Sequence, residues 1–206
     1  MGFTEQYRQR MVEEQIASRG INDARLLRAL KQVPRHRFVP EVDPASAYAD
    51  APLSIGSGQT ISQPYIVAKM CELAEFRGTE KVLEIGTGSG YAAAILSLLA
   101  EEVYTLERIG VLSERAQKYL EKEGYSSVHC IQGNGYEGYP EAAPYDVILL
   151  SAAPGKIPAE LLEQLKIGGR MVGPVGAMEQ YLVRILRTSE GYEQSEHGAV
   201  RFVPMK

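Results

Sequence analysis

Apolar residues recur every three or four positions at the start of the chain, then give way to short β-rich runs separated by helical ones. Phe3, Tyr7, Met11, Val12 and Ile16 share one helical face, so the spacing predicts an amphipathic helix over residues 3–19. Leu26, Leu27 and Leu30 place a second short helix over 23–31, all three turned inward, and Pro34 and Pro40 break the pattern. Residues 43–59 carry prolines, glycines and small side chains without periodicity and read as a loop. A loop of that length inside a compact domain is more often functional than idle. Ser62 then reads as the N-cap of a helix, with Pro64 in its first turn and Ile66, Val67, Met70, Leu73 and Ala74 behind it.

From there strands and helices alternate. Residues 81–85, 102–107, 127–132, 146–151 and 169–174 read as strands, and 91–100, 111–123 and 158–165 as helices. Such alternation predicts an α/β fold with a doubly wound, mostly parallel sheet. Residues 181–188 and 198–203, with no helix between them, predict an antiparallel hairpin that closes a seven-stranded sheet. Nothing marks a boundary between independent domains. The expectation is one domain over 1–206, with helices and a functional loop in 1–61 and the α/β core in 62–206.

The most informative stretch is 81–90, KVLEIGTGSG. A strand ends in Glu84, passes through Gly86-Thr87-Gly88-Ser89-Gly90, and a helix follows at once. Glycines at a strand-to-helix turn let the backbone approach a ligand and tolerate positive φ, and the helix behind them starts with unpaired N–H groups. A dinucleotide fingerprint needs a small residue three positions after its second glycine; Tyr91 stands there instead. Glu107 ends the next strand roughly 20 residues beyond Gly86, where a carboxylate accepts hydrogen bonds from ribose hydroxyls. A nucleoside without phosphates fits best, and S-adenosylmethionine is the common one.

Composition narrows the partners. The 206 residues are 45% hydrophobic and 23% charged with a net charge of −4, and no basic block is present to track a phosphate backbone, so nucleic acid is not expected. The longest apolar run, 91–100, is about half of the ~20 residues needed to span a bilayer, and the N-terminal residues have no apolar signal core. A cytoplasmic protein with no membrane contact is expected. Cys71 and Cys130 lie among apolar neighbours without CxxC spacing and read as buried thiols. His36, His129 and His197 are scattered, so no metal site is expected.

Residues 50–65, DAPLSIGSGQTISQPY, carry a more specific signal. Together with 33–40 (VPRHRFVP), Ala152-Ala153-Pro154 with Ile157-Pro158, Pro174-Val175-Gly176 and Arg201-Phe202-Val203-Pro204, they make the chain resemble the protein-L-isoaspartate (D-aspartate) O-methyltransferases from about Gln9 to Met205. The resemblance implies a Rossmann-like class I methyltransferase fold. It also implies transfer of a methyl group from S-adenosylmethionine to the free α-carboxylate of L-isoaspartyl residues in damaged proteins, the first step of their repair, with D-aspartyl residues as a further candidate. It places the active-site serine at Ser62, with Gln59, Thr60 and Ile61 around the cofactor and Thr60 also facing substrate. Glu84 and Gly86, Thr87, Gly88, Ser89 and Gly90 would hold the methionine end, and Glu107 the ribose with Arg108 beside it. Phe202 and Val203 would offer strand backbone to the peptide. The family's usual Gly-Asp-Gly near the adenine is here Gly133-Asn134-Gly135, which weakens the expected adenine contact. A monomer is expected. Two other readings stand beside this one: a class I methyltransferase for another acid or a small molecule, and a non-catalytic cofactor-binding adaptor.

An isoaspartyl α-carboxylate of pKa about 3.5 is already ionised at pH 7, so no general base is expected among the histidines. Ser62 is expected to donate to that carboxylate while the helix it begins turns free N–H groups the same way.

Overall fold

Asp23 shows how directly local sequence acts here. Its carboxylate accepts from the N–H groups of Arg25 and Leu26 and starts a helix over Ala24–Gln32. The computed structural model describes residues 2–39 and 42–206; Pro40, expected to help break the helical pattern, lies outside them. The predicted first helix is continuous. Helix α1 (Phe3–Arg10) runs on through a π-helical stretch, Met11–Ile16, and a 3-10 turn, Ala17–Arg19, to Gly20 at φ 95°. Helix α2 is Ala24–Gln32, with Leu26 and Leu30 buried and Leu27 only partly so.

The expected loop over 43–59 is structured. Asp43 caps a one-turn helix α3, Pro44–Ala47. Strands β1 (Leu53–Gly56) and β2 (Gln59–Ile61) then pair antiparallel. Gly56, Ser57 and Gly58 join them with φ of 87°, 53° and 68°. The glycines and small residues that read as a loop are the chemistry of a tight hairpin turn.

Helix α4 spans Pro64–Ala74 and α5 Tyr91–Leu96, shorter than expected. Helices α6 (Gly110–Lys122) and α7 (Ala159–Glu163) follow. Strands β3 (Lys81–Ile85), β4 (Glu102–Glu107), β5 (Val128–Gln132), β6 (Tyr145–Leu150) and β7 (Leu165–Val175) lie close to their predicted places. The seven-stranded sheet runs β5-β4-β3-β6-β7-β8-β9, with β8 at Gln180–Arg187 and β9 at Tyr192–Val200. The pairs from β5 to β7 are parallel, and β7–β8 and β8–β9 are antiparallel. The last strand therefore lies earlier than the predicted 198–203. All of β9 but Val200 is exposed, so it carries no apolar alternation.

Side chains alternate across the sheet. Val82, Val103, Val147 and Leu149 face a large core shared with α2, α4, α5 and α6. Leu83, Ile85, Ile148 and Leu150 face a smaller one closed by Leu161 of α7 and by Met205. Strand order reverses between β3 and β6, which opens a crevice at their carboxyl ends. Among the described residues no helix is long and apolar enough to cross a membrane, and no cluster of His, Cys, Asp and Glu is arranged to hold a metal ion.

Candidate functional site

The crevice is built by the residues that end β3, β4 and β6. Gly86, Gly88 and Gly90 take φ of 95°, 53° and 86°, a left-handed run that residues with a Cβ adopt at a cost. The Gly86 N–H donates to the Leu106 carbonyl at 2.8 Å, tying the turn to β4. Glu107 then fixes the turn from the side, with Oε2 accepting from the Gly88 N–H and Oε1 from the Ile109 N–H, each at 2.9 Å. Each oxygen keeps a second lone pair.

Glu84 is fully buried. Thr105 donates to its Oε2 at 2.7 Å and Ser151 to its Oε1 at 2.9 Å. With Thr105 donating to Glu84, Thr87 supplies the proton of the 2.7 Å bond between the two threonine hydroxyls. Burial pushes the Glu84 carboxyl up to about 7; the two hydroxyl bonds oppose that rise and the Glu107 charge adds to it. A buried acid of this kind has lone pairs left to accept hydrogen bonds from a further donor.

Three cavities with shared lining residues lie at this point. The first runs along Gln59, Gly86, Gly88, Glu107, Arg108 and Gly135 to Met205. A second, inner one is bounded by Ile61, Glu84, Thr87, Ser89 and Tyr91. The third is an open groove of about 420 Å³ between Pro52, Gln63 and Ile66 on one side and Ala199–Val203 on the other. Thr60 and Ser151 border all three, and Ser62 borders the inner cavity and the groove. The inner cavity and the groove thus share a border that carries three hydroxyls, those of Thr60, Ser62 and Ser151.

Residues 5–206 match the family model for protein-L-isoaspartate(D-aspartate) O-methyltransferase. The chain belongs to that family. A protein-L-isoaspartate O-methyltransferase of Picosynechococcus sp. is 54% identical over 199 residues, which cover 97% of this chain and 90% of that one. A protein-L-isoaspartate O-methyltransferase 2 of Marinobacter nauticus is 51% identical over 201 residues, 96% of this chain and 92% of its own. A solved protein-L-isoaspartate O-methyltransferase superposes with a TM-score of 0.89 at 28% identity, covering 96% of this chain and 65% of that one. A Plasmodium falciparum structure in complex with S-adenosyl-L-homocysteine has a TM-score of 0.82 over 97% of this chain and 98% of its own; at 22% identity it shows the shared fold alone.

In this isoaspartyl methyltransferase most of the residues singled out from sequence come together at the cavities. Four details differ from expectation. Helix α4 has Gln63, not Ser62, at its N-cap position, and no local side chain caps it. Its first N–H groups are already used: Tyr65 N–H donates to Asp50 Oδ1 at 3.1 Å, and those of Ile66 and Val67 go to the Gln63 carbonyl. They are not available to a substrate carboxylate. Asn134 is exposed and does not border the cavities. Its Oδ1 accepts from the Tyr136 N–H at 3.1 Å and its Nδ2 donates to Glu137 at 2.8 Å. Gly90 packs against Ala116 and Leu120 of α6 and takes no part in the lining. Phe202 and Val203 border the groove but lie past β9. The Phe202 N–H and carbonyl both bind the Gln180 amide, and the Val203 carbonyl accepts from the Ala153 N–H.

Three residues were missed. Ser151 had no motif to mark it. Asp50 lies 15 positions before the N–H it caps. Arg35 is fully buried: its Nε donates to the Ala47 carbonyl at 2.9 Å and its Nη2 to that of Ala51 at 3.4 Å, and its guanidinium carbon sits 4.9 Å from the Tyr91 ring centre.

Proposed function

We propose that this methyltransferase holds S-adenosylmethionine along Gly86–Gly90 and Glu107, and receives the L-isoaspartyl carboxylate from the groove between Pro52 and Phe202. The observation that carries the reading is the shared border: Thr60 and Ser151 edge both the small-molecule cavity and the chain-sized groove. The residues fit the cofactor. Left-handed glycines let backbone approach a ligand closely, Glu107 has lone pairs for ribose hydroxyls, and Glu84 is placed to receive an ammonium group. When bound, the cofactor supplies an electrophilic methyl group on a sulfonium sulfur.

This chain's residues have no proton to remove, since the nucleophile is a carboxylate ionised at pH 7. Their work is orientation. Ser62 donates its hydroxyl proton to one carboxylate oxygen and Thr60 lies on the same border, while Ile61 and Tyr91 wall the inner cavity with apolar surface. The reading extends to isoaspartyl peptides and proteins, with D-aspartyl residues as a second substrate class, and treats 1–206 as one methyltransferase domain. It places a monomer in the cytoplasm with no nucleic-acid partner, which the net charge of −4 and the two unpaired cysteines favour. Transfer of label from the methyl donor to an isoaspartyl peptide, with its aspartyl isomer as control, tests the reading; equal labelling of both peptides would sink it.

A further inference from the structure

We infer that Asp50 is a positioning residue for methyl transfer: it caps α4 from a distance and so leaves the Ser62 hydroxyl free for the substrate carboxylate. The inference rests on the reading of Ser62 given above. A serine just before a helix ordinarily turns its oxygen onto the first free N–H groups. Here it does not, because those groups are taken. Pro64 has no N–H, Tyr65 N–H donates to Asp50 Oδ1 at 3.1 Å, and Ile66 and Val67 donate to the Gln63 carbonyl at 3.1 and 3.2 Å. Asp50 also accepts from Gln63 Nε2 at 2.7 Å, so it holds the residues one and three positions after Ser62. Among the described residues Ser62 Oγ has no protein hydrogen-bond partner, and it borders both the inner cavity and the groove.

A carboxylate so near an anion-binding groove would repel the substrate were it not neutralised. Arg19 does that, with Nη1 at 2.8 Å from Asp50 Oδ2 and its guanidinium carbon 3.3 Å from the Tyr65 ring centre. One acid thus supplies the negative end that the helix dipole favours, while an arginine from the first helical segment cancels its field.

A double-mutant cycle in kcat/KM for an isoaspartyl peptide tests this. Ser62→Ala alone should cost about ten- to a hundredfold, one bond to a charged group. In an Asp50→Ala background the same change should cost less than about threefold, because Ser62 has turned to cap the helix. Cofactor Kd should stay within about threefold throughout. Additive effects would overturn the inference while leaving Ser62 in place; no effect of Ser62→Ala alone would instead remove the reading of Ser62. Asp50→Asn keeps an acceptor for Tyr65 N–H; its NH2 is met by the Gln63 amide turned over to present its oxygen, with Arg19 released to solvent, and activity should stay within about threefold. A loss above tenfold in Asp50→Asn refutes the capping role, and this arm decides the matter if Asp50→Ala does not fold. Arg19→Ala breaks the ion pair but not the cap and should leave the cost of Ser62→Ala unchanged; a cost reduced to that of the Asp50→Ala background would assign the effect to the ion pair and overturn the inference.

Discussion

The Ser151 hydroxyl donates to Glu84 Oε1 at 2.9 Å, joining the carboxyl ends of two neighbouring parallel strands where the strand order of the sheet reverses. Ser151 also edges the groove, so the group bonded to Glu84 stands where the inner cavity and the groove adjoin.

Glu84 should make both stability and cofactor affinity depend on pH. Its carboxyl titrates at about 7 in the folded chain against 4.5 ordinarily, so its contribution to stability is complete below about 4.5 and is lost as pH rises through 7. Denaturant titrations should show Glu84→Gln gaining on the parent between pH 5 and pH 8, by on the order of 3 kcal/mol. Binding of a cofactor ammonium selects the ionised form. Affinity should therefore fall up to tenfold per pH unit below 7, and a flat calorimetric profile from pH 5.5 to 8 would rule out the pairing.

A limb near pH 7 in the rate profile should survive replacement of every histidine. His36 bonds Tyr48, His129 lies by Glu102 and His197 bonds Ser195, and none borders the three cavities. Replacing Glu84 with Gln should remove that limb. Its loss in a histidine variant instead would point to a general base.

Glu107→Ala should weaken the cofactor more than one lost contact explains, because the same carboxylate fixes Gly88 and Ile109. Two ribose hydroxyls bonded to a charged acceptor amount to about 3 kcal/mol or more, over a hundredfold in Kd, and release of the Gly88 turn adds to that. Glu107→Gln, which keeps one acceptor oxygen, should fall between. Calorimetry that found the alanine variant unchanged would separate Glu107 from the cofactor.

Gly135→Ala should be costly despite its modest size. An added Cβ would lie 2.7 Å from Ile85 Cγ2, inside the smaller core. Overpacking of that kind costs about 1–3 kcal/mol. A thermal midpoint equal to the parent's would mean that Ile85 yields freely.

Asn134→Asp should bind the cofactor no more tightly than the parent. The substitution removes the donor to Glu137 and sets two carboxylates together, so about 1 kcal/mol of stability should be lost. A tenfold gain in affinity would show that a carboxylate here reaches the cofactor.

Local chemistry decided what was legible in the sequence. Strands β3 and β4 and the glycine turn announced themselves because apolar runs, an acid and glycines lie in consecutive positions. Strand β9 did not, since YEQSEHGAV faces solvent on both sides and has no apolar alternation to read. The hairpin of β1 and β2 was hidden by its turn, whose residues suit a loop equally well. Ser62 looked like a cap because a serine before a proline-started helix usually is one; the acid that displaces it comes from a residue far back in the chain. Asn134 matched a family position, yet its neighbours Tyr136 and Glu137 claim its side chain first.

Arg35 grips the main-chain carbonyls of Ala47 and Ala51 and lies over the Tyr91 ring, and among the described residues no carboxylate pairs with it directly. The hold therefore depends on the path of the chain, not on what the side chains at 47 and 51 can bond, although Ala47 is itself packed in the core. Dissolved ions cannot compete for a guanidinium sealed from water. The segment that leads into the hairpin of β1 and β2 should keep its place in brine as well as in dilute buffer.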